Sequence, residues 1–132
     1  MDRHCQNARA LAVWLQDDSR IGRVYFPGLA ESDREKAARV LPPDHFGALV
    51  SIELKDNTRA AAFRFMDKLQ LCLPATTLGD VFSQVSYPPI SSHRDLSDAE
   101  RQNIGITEGC MRMSVGIEDV NDIIKDLDQA LA

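Results

Sequence analysis

Apolar and polar positions along this chain follow two periods, and the switches between them mark the elements. Ala8, Leu11, Ala12 and Leu15 recur at i, i+3, i+4 and i+7, which gathers one apolar stripe on a first helix. Arg23-Val24-Tyr25-Phe26 reads as a short strand stopped by the turn signal Pro27-Gly28. Ser32 and Glu35 have the spacing of a capping box, so a second helix is expected to open there. Pro42-Pro43 is expected to end it, because proline cannot continue the hydrogen-bond ladder. Ala48, Val50, Ile52 and Leu54 then alternate with Leu49, Ser51, Glu53 and Lys55. A period of two with polar residues on one face predicts a half-buried strand.

Asn57 is placed to cap a third helix with the stripe Ala62, Phe65, Met66 and Leu69. Leu71-Cys72-Leu73 is a short apolar piece before Pro74, and Val81 to Val85 predicts another strand before Pro88-Pro89. Ser97 and Glu100 form a second capping box, opening a brief helix that stops before Gly105. Met111, Met113 and Val115 alternate with Arg112, Ser114 and Gly116, so Arg112 and Ser114 share one strand face. Asp119 caps a last helix bearing Val120, Ile123, Ile124, Leu127 and Leu131. No repeat or linker interrupts the order α-β-α-β-α-β-β-α-β-α. It predicts a single α+β domain over 1–132, a small, mostly antiparallel sheet with helices packed on one face.

With 132 residues, 44% hydrophobic and 27% charged, the chain can bury one core and belongs to the globular class. No apolar run approaches the ~20 residues of a membrane span, and Met1 to Arg9 is too polar for a secretory signal. Cys5, Cys72 and Cys110 are odd in number and make no CxxC, which suits a reduced, cytoplasmic setting. The net charge is −5 with scattered basic residues, so neither nucleic acid nor a membrane is expected as a partner.

Most enzyme signatures are missing. There is no GxSxG elbow, no HExxH, no GxGxxG and no GxxxxGK[ST], and His4, His45 and His93 are far apart. Asp17-Asp18 reads as a solvated helix end, and Met111 with Met113 as core packing. No metal site and no catalytic residue is therefore expected. One residue stands out. Arg112 interrupts a strand of apolar and small residues, and a half-buried guanidinium needs an anionic partner. On the residues alone, that partner is either an internal carboxylate or a ligand.

The segment Gly105-Ile106-Thr107-Glu108-Gly109-Cys110-Met111-Arg112-Met113-Ser114-Val115-Gly116-Ile117-Glu118 resembles a signature of the cysteine/methionine metabolism pyridoxal-phosphate enzymes. Those enzymes include cystathionine synthases and lyases, methionine γ-lyase and acylhomoserine sulfhydrylases. Further blocks are similar in the same order: Asn7-Ala8, Val24 to Leu29, Phe46 to Ser51, Thr77-Leu78-Gly79, Ser92-His93-Arg94 and Asp126 to Leu131. The resemblance implies the C-terminal small domain of a fold-type I enzyme. It also implies a large cofactor domain ahead of these blocks, with a Schiff-base lysine in an S-x-T-K context. Lys36, Lys55, Lys68 and Lys125 lie in no such context, so this chain is expected to be inactive alone and to bind no pyridoxal phosphate covalently.

By the same resemblance, Arg112 grips the α-carboxylate of a sulfur amino acid, Thr77 stands where a serine helps hold it, and Thr76 lines the substrate side-chain pocket. Thr76 is uncharged where certain lyases carry an acid, and Asp80-Val81-Phe82-Ser83 departs from the usual G-x-E-S, so the subgroup stays open. The complete enzyme is expected to be a homo-oligomer. The competing reading is a stand-alone, non-catalytic α+β module that binds protein.

Overall fold

The computed structural model describes residues 1–132. α1 spans Asp2–Gln16, and its stripe of Ala8, Leu11, Ala12 and Leu15 is wholly withdrawn from solvent. Five strands follow through the chain: β1 (Ile21–Tyr25), β2 (Leu49–Leu54), β3 (Leu73–Pro74), β4 (Gln84–Ser86) and β5 (Cys110–Ser114). They form one sheet in the order β1-β2-β5-β4-β3. Every pairing is antiparallel except β3 with β4, so the sheet is mostly antiparallel as its pattern predicts.

α1, α3 (Arg59–Lys68) and α6 (Val120–Leu131) cover one face. Val50, Ile52, Met111 and Met113 point from the sheet into the layer beneath, where Leu11, Leu15, Ala62, Phe65, Ile123 and Leu127 meet them. The methionines are core packing, as their alternation with Arg112 implies. Cys5, Cys72 and Cys110 are buried free thiols. No helix is long and apolar enough to cross a membrane.

Several local expectations are corrected. α2 covers Glu31–Ala37 with Ala30 at its N-cap, so no side-chain cap forms and Ser32 lies inside the first turn. Glu31 and Asp33 face the positive end of the helix dipole there. The helix stops before Pro42-Pro43, in turns where the Val40 and Leu41 N–H groups return to the Ala37 carbonyl. Thr58, not Asn57, caps α3 by accepting from Ala61 N at 3.2 Å. Asn57 instead accepts from Gly109 N, just ahead of β5.

The strand expected at Val81 to Val85 is displaced to β4, Gln84–Ser86. Val81 and Phe82 run past the end of β5 and have no ladder to join, so both stay exposed. Pro88-Pro89 opens a one-turn helix, α4 (Pro88–Ser91), at positions whose N–H groups need no helical partner. α5 (Asp98–Asn103) begins with the predicted capping box of Ser97 and Glu100, and Asp119 caps α6 by accepting from Asn121 N.

One buried carboxylate joins α6 to the turn after α3. Asp126 accepts from the backbone N–H groups of Gln70, Leu71 and Cys72 at 2.8, 2.9 and 2.8 Å. Burial pushes its carboxyl up, but those three donors and Gln129 outweigh it and hold the group below the usual carboxylate range. A depressed folded pKa contributes stability above the unfolded value near 3.9, and this is lost as pH falls through the folded value. Asp126→Asn turns an NH2 group towards backbone donors. It should cost about 2–3 kcal/mol in a urea melt at pH 7. The gap between variant and native chain should narrow as pH falls below about 4.

Candidate functional site on the open face of the sheet

β5 is the central strand, paired with β2 on one side and β4 on the other. Its alternation sends Met111 and Met113 into the core and leaves Arg112 and Ser114 on the opposite face, where Arg112 is half-buried and Ser114 is buried. The register sets a row across that face: Tyr25 opposite Ser51, Ser51 opposite Arg112, Arg112 opposite Ser86. Arg112 is half-buried and takes part in no salt bridge. Its Nε is shut off from solvent and has no hydrogen-bond partner. Of the two partners its sequence position leaves open, the internal carboxylate is not there.

Both ends of β5 are fixed by polar clusters. At its start, Glu108 accepts from Arg59 Nε at 2.9 Å and from Arg101 Nη2 at 2.9 Å. Tyr87 Oη donates to the Glu108 main-chain oxygen at 2.9 Å, with Oε2 at 3.1 Å. Arg59 first, with Arg101 and Tyr87, holds the Glu108 carboxyl below its ordinary range against partial burial. At the far end, Ser83 Oγ donates to Glu118 Oε2 at 2.9 Å and accepts from Gly116 N at 2.9 Å. The buried Asn7 amide of α1 donates to the carbonyls of Gly116 and Glu118 at 3.1 and 2.8 Å. The helix, the turn after β5 and the chain entering β4 are thereby tied together.

That tie positions the loop carrying the two threonines. Gly79 turns with φ 82°, a left-handed conformation natural to glycine, and its N–H reaches Ser114 Oγ at 3.0 Å. Thr77 Oγ1 donates to Gln84 Oε1 at 3.0 Å. Gln84 stands opposite Ser114, two residues along β5 from Arg112, so Thr77 comes to the same sheet face as the arginine. Thr76 goes elsewhere. It lines a groove of about 320 Å³ beside β4, with Phe63, Met66, Val85, Tyr87 and Ile90. Ser86, opposite Arg112, lines the same groove.

Gln84 and Ser51 are site neighbours that the residue pattern did not single out. Only the strand register brings them to Arg112. The histidines each have a local partner: His4 the Asp80 carbonyl, His45 Asp2 and the Pro43 carbonyl, His93 the Ser92 hydroxyl. No lysine stands beside Arg112. Lys36, Lys68 and Lys125 lie on α2, α3 and α6, and Lys55 is exposed four residues along from Ser51, roughly 13 Å at strand rise.

An α+β domain with an unpaired, half-buried arginine on the sheet face opposite its core is the class of protein this geometry defines. A family model described as Cys/Met metabolism PLP-dependent enzyme matches residues 1–132, and the chain belongs to that family. It is 40% identical over 131 residues to the cystathionine beta-lyase of Coxiella burnetii, covering 99% of this chain and 33% of that protein. The L-methionine gamma-lyase of Fusobacterium nucleatum subsp. polymorphum gives the same 40%, 99% and 33%.

Among solved structures, one described as an O-acetylhomoserine (thiol)-lyase from Campylobacter jejuni, carrying a pyridoxyl-lysine monophosphate, aligns with a TM-score of 0.90 and 35% identity. The alignment covers 98% of this chain and 31% of that one. The cystathionine gamma synthase of Xanthomonas oryzae, in complex with aminoacrylate and cysteine, aligns at 0.86 with 34% identity, over 99% of this chain and 33% of that one. The chain therefore spans about a third of the length of these relatives.

The site depends on close backbone approach at Gly116. A Cβ there would run into the Val81 carbonyl oxygen and stand 2.6 Å from Ser83 N. Backbone atoms cannot yield as a flexible side chain can, so Gly116→Ala should lower stability by about 1–3 kcal/mol. In amide hydrogen exchange, the loss of protection should be strongest at Gly79 and Ile117, whose N–H groups bond to Ser114 and Val81.

Proposed function

We propose that this chain is the substrate-binding domain of a pyridoxal-phosphate-dependent sulfur amino acid enzyme, a carbon–sulfur lyase or trans-sulfuration enzyme. In this reading Arg112 holds the substrate α-carboxylate. The observation that carries it is the unpaired guanidinium: a half-buried arginine with no salt-bridge partner in its own chain, on the sheet face opposite the core methionines. A planar guanidinium meets a carboxylate through two parallel hydrogen bonds, which fix orientation as well as position. Thr77 adds a hydroxyl on the same face. Thr76 and the apolar groove beside it offer a place for the rest of the substrate.

Pyridoxal phosphate supplies an electron sink for carbanion chemistry in enzymes of this kind. The contribution of this domain is orientation. A carboxylate locked by Arg112 sets which bond at the substrate Cα stands ready to break, and so directs proton removal before elimination or replacement. In the complete homo-oligomeric enzyme, the lysine and the cofactor contacts come from residues other than those of this chain.

Two outcomes follow. Incubated with pyridoxal phosphate and reduced with borohydride, this chain should carry no stoichiometric adduct on one lysine and release no sulfide or thiol from cysteine or methionine. A single labelled lysine together with turnover would overturn that part of the reading. Arg112→Ala should change the stability of the chain by about 1 kcal/mol or less in a thermal melt, as for a surface site. It should also abolish carboxylate binding. A loss of roughly 3–5 kcal/mol, the signature of a broken buried ion pair, would remove the clamp assignment.

A further inference from the structure

Glu53 is the only acid in the five strands. The register puts it on the same sheet face as Arg112, opposite Arg23 on β1 and Cys110 on β5. Ser51 stands opposite Arg112, so Glu53, two residues along β2, is the diagonal neighbour of the arginine. Diagonal pairs lie about 7–8 Å apart, within reach of two long side chains. Burial pushes the Cys110 thiol up to about 11, Glu53 adds to that rise and Arg112 opposes it, so both charges are felt at the residue between them. An acid so placed has an arginine on either side. Yet Glu53 makes no salt bridge, with Arg112 or with Arg23.

Tyr25 accounts for both absences. It stands opposite Ser51 on β1, and so is diagonal to Glu53 from the other side. Its Oη donates to Glu53 Oε1 at 2.7 Å, a length typical of a hydrogen bond strengthened by charge. Because β2 lies between β1 and β5, a carboxylate bonded to Tyr25 leans away from β5. The Tyr25 ring meanwhile carries Arg23, whose Cζ lies 4.8 Å from the ring centroid. A guanidinium over a ring face is attracted by the ring quadrupole. Ser51, between Tyr25 and Arg112, is small and makes no steric wall. What separates Glu53 from Arg112 is the bond to Tyr25.

We infer that Tyr25 is a positioning residue for the anion site: by holding Glu53 towards β1, it keeps the one strand acid off Arg112 and leaves the guanidinium free for a carboxylate from outside. The inference rests on the clamp reading of Arg112 and adds the residue that keeps the clamp vacant. Tyr25 acts through Glu53. Without its hydroxyl, Glu53 becomes a tethered competitor that a free carboxylate has to displace. Apparent affinity then falls by the fraction of the arginine that stays unoccupied.

The test uses the 132-residue chain, sodium acetate as the probe and the side-chain Nε–Hε resonance of Arg112, assigned by its disappearance in Arg112→Lys. In the native chain that resonance should shift saturably with acetate, and Glu53→Gln should bind acetate at least as tightly. Tyr25→Phe keeps the ring beneath Arg23 and removes only an exposed hydroxyl. It should weaken acetate binding roughly three- to fivefold, the range of an exposed ion pair, and shift the Nε–Hε signal before any acetate is added. Combining Tyr25→Phe with Glu53→Gln should restore both, which a general loss of structure would not allow. If the phenylalanine chain does not fold, Tyr25→Leu also lacks the donor and should show the same loss and the same rescue. Native acetate affinity in Tyr25→Phe, or a loss that Glu53→Gln does not rescue, would overturn the role of Tyr25 and leave the clamp standing. A native chain whose Arg112 ignores acetate would overturn the clamp, and this inference with it.

Discussion

β5 lies between β2 and β4, and a slip of one residue in its register would turn each of its side chains to the other face. Met111 and Met113 would leave the core, and Arg112 would enter a layer made of Val50, Ile52, Leu11 and Leu127 with no acid to meet it. Two polar clusters oppose that slip. Glu108, gripped by Arg59, Arg101 and Tyr87, fixes where the strand begins. Gly116, pressed against the Val81 and Ser83 backbone and tied to Asn7, fixes where it ends. Apolar burial selects the faces and the end clusters select the residue. Position on the open face follows for Arg112, Ser114 and their neighbours.

The two arginines of this region show what a structural role looks like here. Arg101 is 5% exposed and has its terminal nitrogens paired, with Leu96 O at 2.7 Å, Glu108 Oε1 at 2.9 Å and Asp98, while its Nε, like that of Arg112, has no partner. Removing a partner from such a site leaves a buried charge uncompensated, so its network is expected to be rigid. Arg112 has more access to solvent and makes no salt bridge. A chain that supplies two carboxylates to one arginine does not lack the means to supply one to another. The difference between the two is the carboxylates: Arg101 has two within its own chain and Arg112 has no salt bridge.

Long elements with one clear period were legible in the sequence. The stripes of α1 and α6 and the alternation of β2 and β5 come directly from burial of one face, and each falls where the pattern puts it. The errors lie where a tertiary partner decides. Asn57 has the chemistry of a cap but is claimed by Gly109, so the adjacent Thr58 caps α3. Val81 and Phe82 have strand propensity but lie beyond the reach of β5. That Arg112 faces away from Met111 and Met113 was legible from the alternation of its strand. Gln84 and Ser51 were not, because cross-strand register is absent from a linear pattern and appears only once strands pair.

The loop from Ala75 to Ser83 joins this rigid frame to a variable rim. It is held mainly through backbone atoms: Ala75 N to Val85 O, Gly79 N to Ser114 Oγ, Ile117 N to Val81 O. The side chains of Thr76, Leu78, Val81 and Phe82 are left exposed and contribute little to keeping the loop in place. Substitutions at those positions can therefore reshape the rim without disturbing the arginine behind it. Structures described as a thiol-lyase and as a cystathionine gamma synthase share this fold at 35% and 34% identity. A frame anchored by main-chain hydrogen bonds, with a loop whose side chains are free to vary, is a physical means by which one fold can carry different sites.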